Sequence, residues 1–159
     1  MKDDTVVTLR QPASFSDDPL TAILRSGARQ LLGQAIEAEV AAHIEAHADL
    51  TDASGRRRIV RHGHMPEREV QTGIGAVTVK RPRVRDRDPE APGGRIGFTS
   101  SILPPYLRRA RSVEALLPWL YLKGISTGDF GDALAALLGP DAPGLAASTI
   151  GRLKAAWWD

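Results

Sequence analysis

The sequence predicts a mainly helical protein with one small β-hairpin. Three observations carry that expectation: a long stripe of helical period near the N-terminus, an alternating pattern around Gly73-Ile74-Gly75, and a C-terminal third with three short apolar periods. The chain has 159 residues, of which 42% are apolar and 25% charged, as in globular proteins of one medium or two small domains. Residues 1 to about 18 mix Asp, Ser, Thr and Pro without periodicity and read as a loose arm. From Leu20 the apolar residues Ile23, Leu24, Ala28, Leu31, Leu32, Ala35, Ile36, Val40 and Ile44 recur at three and four, which predicts an amphipathic helix to about Ala48. A stripe of that length needs the rest of the chain or a second copy to cover it, so self-association is expected.

Residues 51–66 hold Arg56-Arg57-Arg58 and Arg61-His62-Gly63-His64 with few apolar anchors, and read as a basic loop. Val70 and Thr72, then Val77 and Val79, alternate as the two strands of a hairpin. Pro82 is expected to stop ladder pairing, after which Arg81, Arg83, Arg85 and Arg87 recur with period two, presenting four guanidinium groups to one side of an extended chain. Asp88 to Gly97 reads as a turn-rich excursion. Beyond it Val113, Leu116, Leu117, Leu120 and Tyr121 line a helix that Ser112 could cap and Gly124 could end, with Pro118 expected to kink it. Ser126 and Asp129 resemble a capping box opening a second helix through Leu138, closed by Gly139-Pro140. Ser148 is placed to cap a third, whose Ile150, Leu153 and Trp157 face inward while Thr149, Arg152 and Lys154 face solvent. The expected organisation is an arm over 1–19, a helix over 20–50, a basic loop and hairpin over 51–111 and a helix-turn-helix-like unit over 112–159.

Charge is partitioned along this order, with net −4 over residues 1–50, +8 over 51–111 and −2 over 112–159. A central block of that sign attracts polyanions, nucleic acid first among them, although a solvated linker has the same composition. Seven of the eight aromatic residues follow residue 97, which places the best-defined core at the C-terminal end. The longest uncharged stretch is the twelve residues from Ile96 to Leu107, too short to span a bilayer, and the acidic N-terminus does not read as a secretory leader. A cytoplasmic protein is expected. The absence of cysteine removes disulfides, thiol nucleophiles and cysteine-zinc sites.

Three short helices with hydroxyl and basic residues on the last fit a helix-turn-helix entering the major groove, but the long connection from Gly139 to Ser148 equally suits a plain bundle. His43 and His47, one helical turn apart, could ligate a metal with His62 or His64, yet a solvated helix flank is the simpler account. No nucleophile elbow or dinucleotide fingerprint occurs, and the carboxylates after residue 95 (Glu114, Asp129, Asp132, Asp141, Asp159) are too scattered for a two-metal site. No catalytic or metal-ligating residue is assigned.

Arg61-His62-Gly63-His64, the stretch from Val77 to Arg85, Phe98, Tyr106-Leu107-Arg108-Arg109, Leu120 to Ser126, and Ser148-Thr149-Ile150 together resemble, in order, the N-terminal half of Mutator-type insertion-sequence transposases. In that family an Arg-Asn-Gly usually stands where Arg61-His62-Gly63 is found, and fewer residues separate the arginine run from the phenylalanine. The resemblance implies binding of double-stranded DNA at terminal inverted repeats. It also implies catalysis by a later Asp-Asp-Glu domain holding a divalent metal such as magnesium, so that this chain would be a transposase fragment carrying neither cofactor nor triad. On charge, spacing and resemblance together, the expected DNA contacts are Arg61, His62, Lys80, Arg81, Arg83, Arg85, Arg87, Arg108, Arg109, Lys123, Ser148, Thr149, Arg152 and Lys154. A homo-oligomer associated with the nucleoid is the expected state. The alternatives are a stand-alone DNA-binding regulator that blocks transposition and, further off, an RNA-binding protein using the arginine run.

Overall fold

The computed structural model describes residues 18–139, 142 and 146–157. The expected arm falls almost wholly outside them, as do Pro140, Asp141, Trp158 and Asp159. Helix α1 runs from Pro19 to Glu45, so the expected boundaries shift by a residue at the start and a few at the end. Its start is fixed by the Asp18-Pro19 pair. The Asp18 carboxylate accepts from the amides of Leu20 and Thr21 at 3.1 Å and from the Thr21 hydroxyl at 2.8 Å, and proline takes the position where no amide is needed.

Two antiparallel two-stranded sheets follow. Strands β2 (Arg68–Thr72) and β3 (Gly75–Val79) form the expected hairpin, with Thr72 opposite Gly75. Gly75 takes φ +97°, and the Arg25 side chain lies where a Cβ would stand while its Nε donates to the Ile74 carbonyl at 2.6 Å. The second sheet corrects the sequence reading. Residues Ile59–His64, expected to be loop, are strand β1, paired with β4 (Pro82–Asp86) in the register Ile59 to Asp86, Val60 to Arg85 and Arg61 to Val84. Pro82 does not end pairing. It opens β4 opposite His64, at the irregular end of the ladder where the register shifts.

Alternation divides each sheet into two faces. Val70, Val77 and Val79 pack with Ile36 of α1 and Leu103, flanked by Ala28, Leu32 and Leu107. Helix α1 also lies against β1 and β4. Only part of its stripe is covered, because Leu20, Ile23, Leu24 and Leu31 remain exposed. The uncharged stretch is pinned to the same helix: Glu39 accepts from the Ser100 and Ser101 hydroxyls and the Ser101 amide.

Helices α2 (Arg111–Leu122), α3 (Phe130–Leu138) and α4 (Ala147–Trp157) form a second core of Val113, Leu117, Phe130, Leu134, Leu138 and Ile150, with Leu153 and Trp157 packed on it. Their local signals are rearranged. Ala110 rather than Ser112 stands at the α2 N-cap, and the helix continues unbroken through Pro118. Gly124 ends it as expected, in the left-handed conformation at φ +87°, with the Ile125 amide reaching back to Leu120 and the Gly124 amide to Tyr121. Ser126 donates to the Asp129 carboxylate at 2.6 Å, and neither side chain bonds a free helical amide, so no capping box forms. Ser148 lies inside the first turn of α4, where the Ala146 carbonyl takes the first helical bonds. Gln71 joins the two halves: its amide donates to the Arg108 carbonyl and its carbonyl accepts from Ala110, a parallel bridge that leads directly into α2.

Candidate nucleic-acid interface

Three of the four period-two arginines share an exposed face with a scaffold beneath it, and Arg81 departs from the expectation because it is half-buried and lines a cleft beside β2–β3. Along β4 the side chains of Pro82 and Asp86 are buried and Val84 is half-buried, while Arg83 and Arg85 are exposed, with Arg87 exposed just beyond the strand. Neither Arg83 nor Arg85 makes an ion pair or side-chain hydrogen bond among the described residues. Extended arginines would otherwise be free to rotate with the chain, but pairing with β1 fixes the direction of this row. Arg81 is half-buried before β4, and Lys80 is exposed between β3 and β4.

Arg61 is directed differently. It pairs opposite Val84 on the side that faces α1, and its Nη2 lies 2.6 Å from the Glu37 carboxylate and 3.0 Å from His64. Its charge is therefore offset, and the sequence could not show this because Glu37 is remote in the chain. His62 is exposed in the bulged part of β1. The anchor beneath the basic face is another residue the charge count had placed in a loop. Arg58 is buried and donates from Nε and Nη2 to both Asp86 oxygens at 2.8 Å, and from Nη2 to the Gly94 carbonyl at 2.6 Å. Asp86 also accepts from the Asp88 and Ile96 amides, so the pair ties down the excursion from Asp88 to Gly97. Arg58 first, then those two amides, hold the Asp86 carboxyl well below the usual carboxylate range against the cost of burial.

In the helical half, Arg152 and Ser148 are exposed on α4 and Thr149 is half-buried, close to the expected free face. Lys154 departs from it: its Nζ sits 4.3 Å from the centre of the Tyr121 ring, a contact that holds α4 to α2. Lys123 is exposed at the α2 C-cap, where a cation also favours the helix end. Arg108 is exposed, whereas Arg109 is half-buried in the bridge to β2, and burial lowers the pKa of its guanidinium. Of the expected contacts, Arg61, His62, Arg83 and Arg85 lie on the β1–β4 sheet with Arg87 just beyond it, Lys123, Ser148, Thr149, Arg152 and Lys154 lie on or beside the helices, and Lys80, Arg81, Arg108 and Arg109 lie in the connecting segments.

The histidines do not converge. The His43 and His47 rings lie tilted against each other with centres 4.6 Å apart, His43 also packs on Phe98 at 5.1 Å, and His47 Nδ1 is bonded to the His43 carbonyl. Burial, then the neighbouring His47, lowers the His43 pKa and favours its neutral ring. Among the described residues no three His, Cys, Asp or Glu side chains come together as a metal-holding group.

A stretch of 47 residues, 30% of this chain, is 57% identical to the transposase for insertion sequence element IS6120 of Mycolicibacterium smegmatis. It spans only 14% of that protein's length. Residues 3–157, nearly the whole chain, match the family described as "Transposase, Mutator family". The chain belongs to the Mutator family of transposases.

Proposed function

We propose that this chain is the DNA-recognising part of an insertion-element transposase and binds double-stranded DNA at the element's terminal inverted repeats. The observation that carries the reading is the outward row of Arg83, Arg85 and Arg87, aligned by the pairing with β1 and, among the described residues, in no ion pair of the kind that Arg61 makes. Such a row contacts phosphates and contributes affinity without choosing sequence. Helix α4 acts as the recognition helix of a helix-turn-helix-like unit, with Thr149 and Arg152 reading base edges. Family membership and the likeness to the IS6120 transposase support the reading. Strand cleavage and its divalent metal belong to the family's Asp-Asp-Glu region, and the chain works on DNA in the cytoplasm. The uncovered stripe of α1, Leu20, Ile23, Leu24 and Leu31, joins two copies so that both ends of an element are held together. Fluorescence anisotropy of a duplex carrying an element end, against a scrambled duplex, tests the reading. Tighter binding to the element end is expected, and a chain that binds neither duplex overturns it.

A further inference from the structure

On the face of β2–β3 that points away from α1, a cleft of about 600 Å³ opens between the hairpin and the segment leading into α2. That volume lies within the range of small-ligand pockets. Gln71 lines it, is 3% exposed, and has neither Nε2 nor Oε1 hydrogen-bonded among the described residues. A buried amide with both ends unsatisfied is costly, so the group awaits a partner offering a donor beside an acceptor. Tyr106 also lines the cleft, is 93% exposed, and takes φ +68°, a conformation that costs a bulky residue energy. Arg81 and Arg108 complete a basic border.

We propose that this cleft is a nucleobase pocket taking one unstacked base, adenine by preference, a role that rests on the DNA-binding reading above and adds a second mode of contact to it. The Gln71 amide is sealed at the wall of the cleft, and a turn of its side chain toward the cleft would present the donor and acceptor that match adenine N7 and N6, while the exposed Tyr106 ring stacks on the base and Arg81 and Arg108 hold the flanking phosphates. Arg68 lines the cleft beside Glu69, so a phosphate alone is the competing occupant, and the abasic strand in the test reads it.

The test uses the intact chain with oligo(dA), oligo(dC) and an abasic strand of equal length, followed by anisotropy beside the duplexes. Oligo(dA) should bind about tenfold more tightly than the abasic strand. Gln71→Leu, which keeps the side-chain volume and removes an unpartnered amide, should fold with an unchanged or higher Tm and lose the preference for oligo(dA) over oligo(dC). Tyr106→Gly relaxes the backbone while removing the ring, and should weaken both base-bearing strands about tenfold and leave the abasic strand unaffected. Equal binding of oligo(dA) and the abasic strand shows a phosphate groove only and overturns the proposal, as does an adenine preference that survives in Gln71→Leu. If duplex binding persists in either case, only the pocket is refuted. A chain that binds no nucleic acid refutes both readings.

Discussion

Replacing Arg83 and Arg85 by alanine removes two cations whose Cα atoms stand about 6.6 Å apart along one strand. Both are exposed and make no side-chain bond among the described residues, so the variant should fold as the parent does. Each phosphate contact contributes about −0.9 to the slope of log affinity against log salt, so losing two makes the slope shallower by about 1.8. Between about 50 and 200 mM salt, the variant's affinity should therefore fall about twelvefold less than the parent's. Arg61→Ala supplies the internal comparison. Glu37 lies 2.6 Å from that guanidinium, so this change should alter the slope by clearly less than 0.9. Binding isotherms over a salt series, on element-end and scrambled duplexes, give all three slopes. If Arg83→Ala with Arg85→Ala binds duplex with the parent's slope, the β4 row does not meet phosphate. A loss confined to the element-end duplex would likewise refute the argument, by showing that the row reads sequence.

Arg152→Ala should cost about 1–3 kcal/mol on the element end and little on scrambled DNA, and equal weakening on both would move sequence reading away from α4. Ile23→Glu with Leu31→Glu, at positions 69% and 68% exposed, should lower the mass seen by light scattering and leave Tm nearly unchanged; a parent already monomeric at high concentration rules out the α1 interface. The same change at Ile36, which is fully buried, should unfold the hairpin packing instead. Phe130→Ala, at the centre of the helical core, should cost about 3–5 kcal/mol in denaturant unfolding, and a loss below about 1 kcal/mol would mean that the core lies elsewhere. Because the folded pKa of Asp86 is depressed, its stabilising contribution is present above the unfolded carboxylate value of about 3.9 and is lost as pH falls toward the folded value. Asp86→Asn should therefore be less stable at pH 7 and lose less stability than the parent between about pH 4 and 2, which acid titration by circular dichroism measures.

Periodicity alone located α1, the hairpin and all three C-terminal helices, because a helix or hairpin is specified by residues within a few positions of one another. The side of β4 that carries arginines was legible for the same reason: alternation puts Arg83 and Arg85 on one face whatever lies beneath. The glycines at 75 and 124 were readable as turn and stop, since few other residues adopt those dihedrals.

What the sequence could not supply were the long-range pairings. Strand β1 was hidden because its partner lies some twenty residues away and its arginines and histidines mask the alternation that Ile59 and Val60 begin. For the same reason Arg58, Arg61 and Arg83 look alike in a charge count. Tertiary structure alone makes the first a buried clamp on Asp86, pairs the second with Glu37 of α1, and leaves the third facing solvent. The amphipathic stripe of α1 was likewise visible, but which half of it meets the hairpin was decided only when Ile36 packed on Val70, Val77 and Val79 and Ile23 did not. Composition sets how many charges and apolar groups exist, and the fold then decides which of them are neutralised, buried or left to meet a partner.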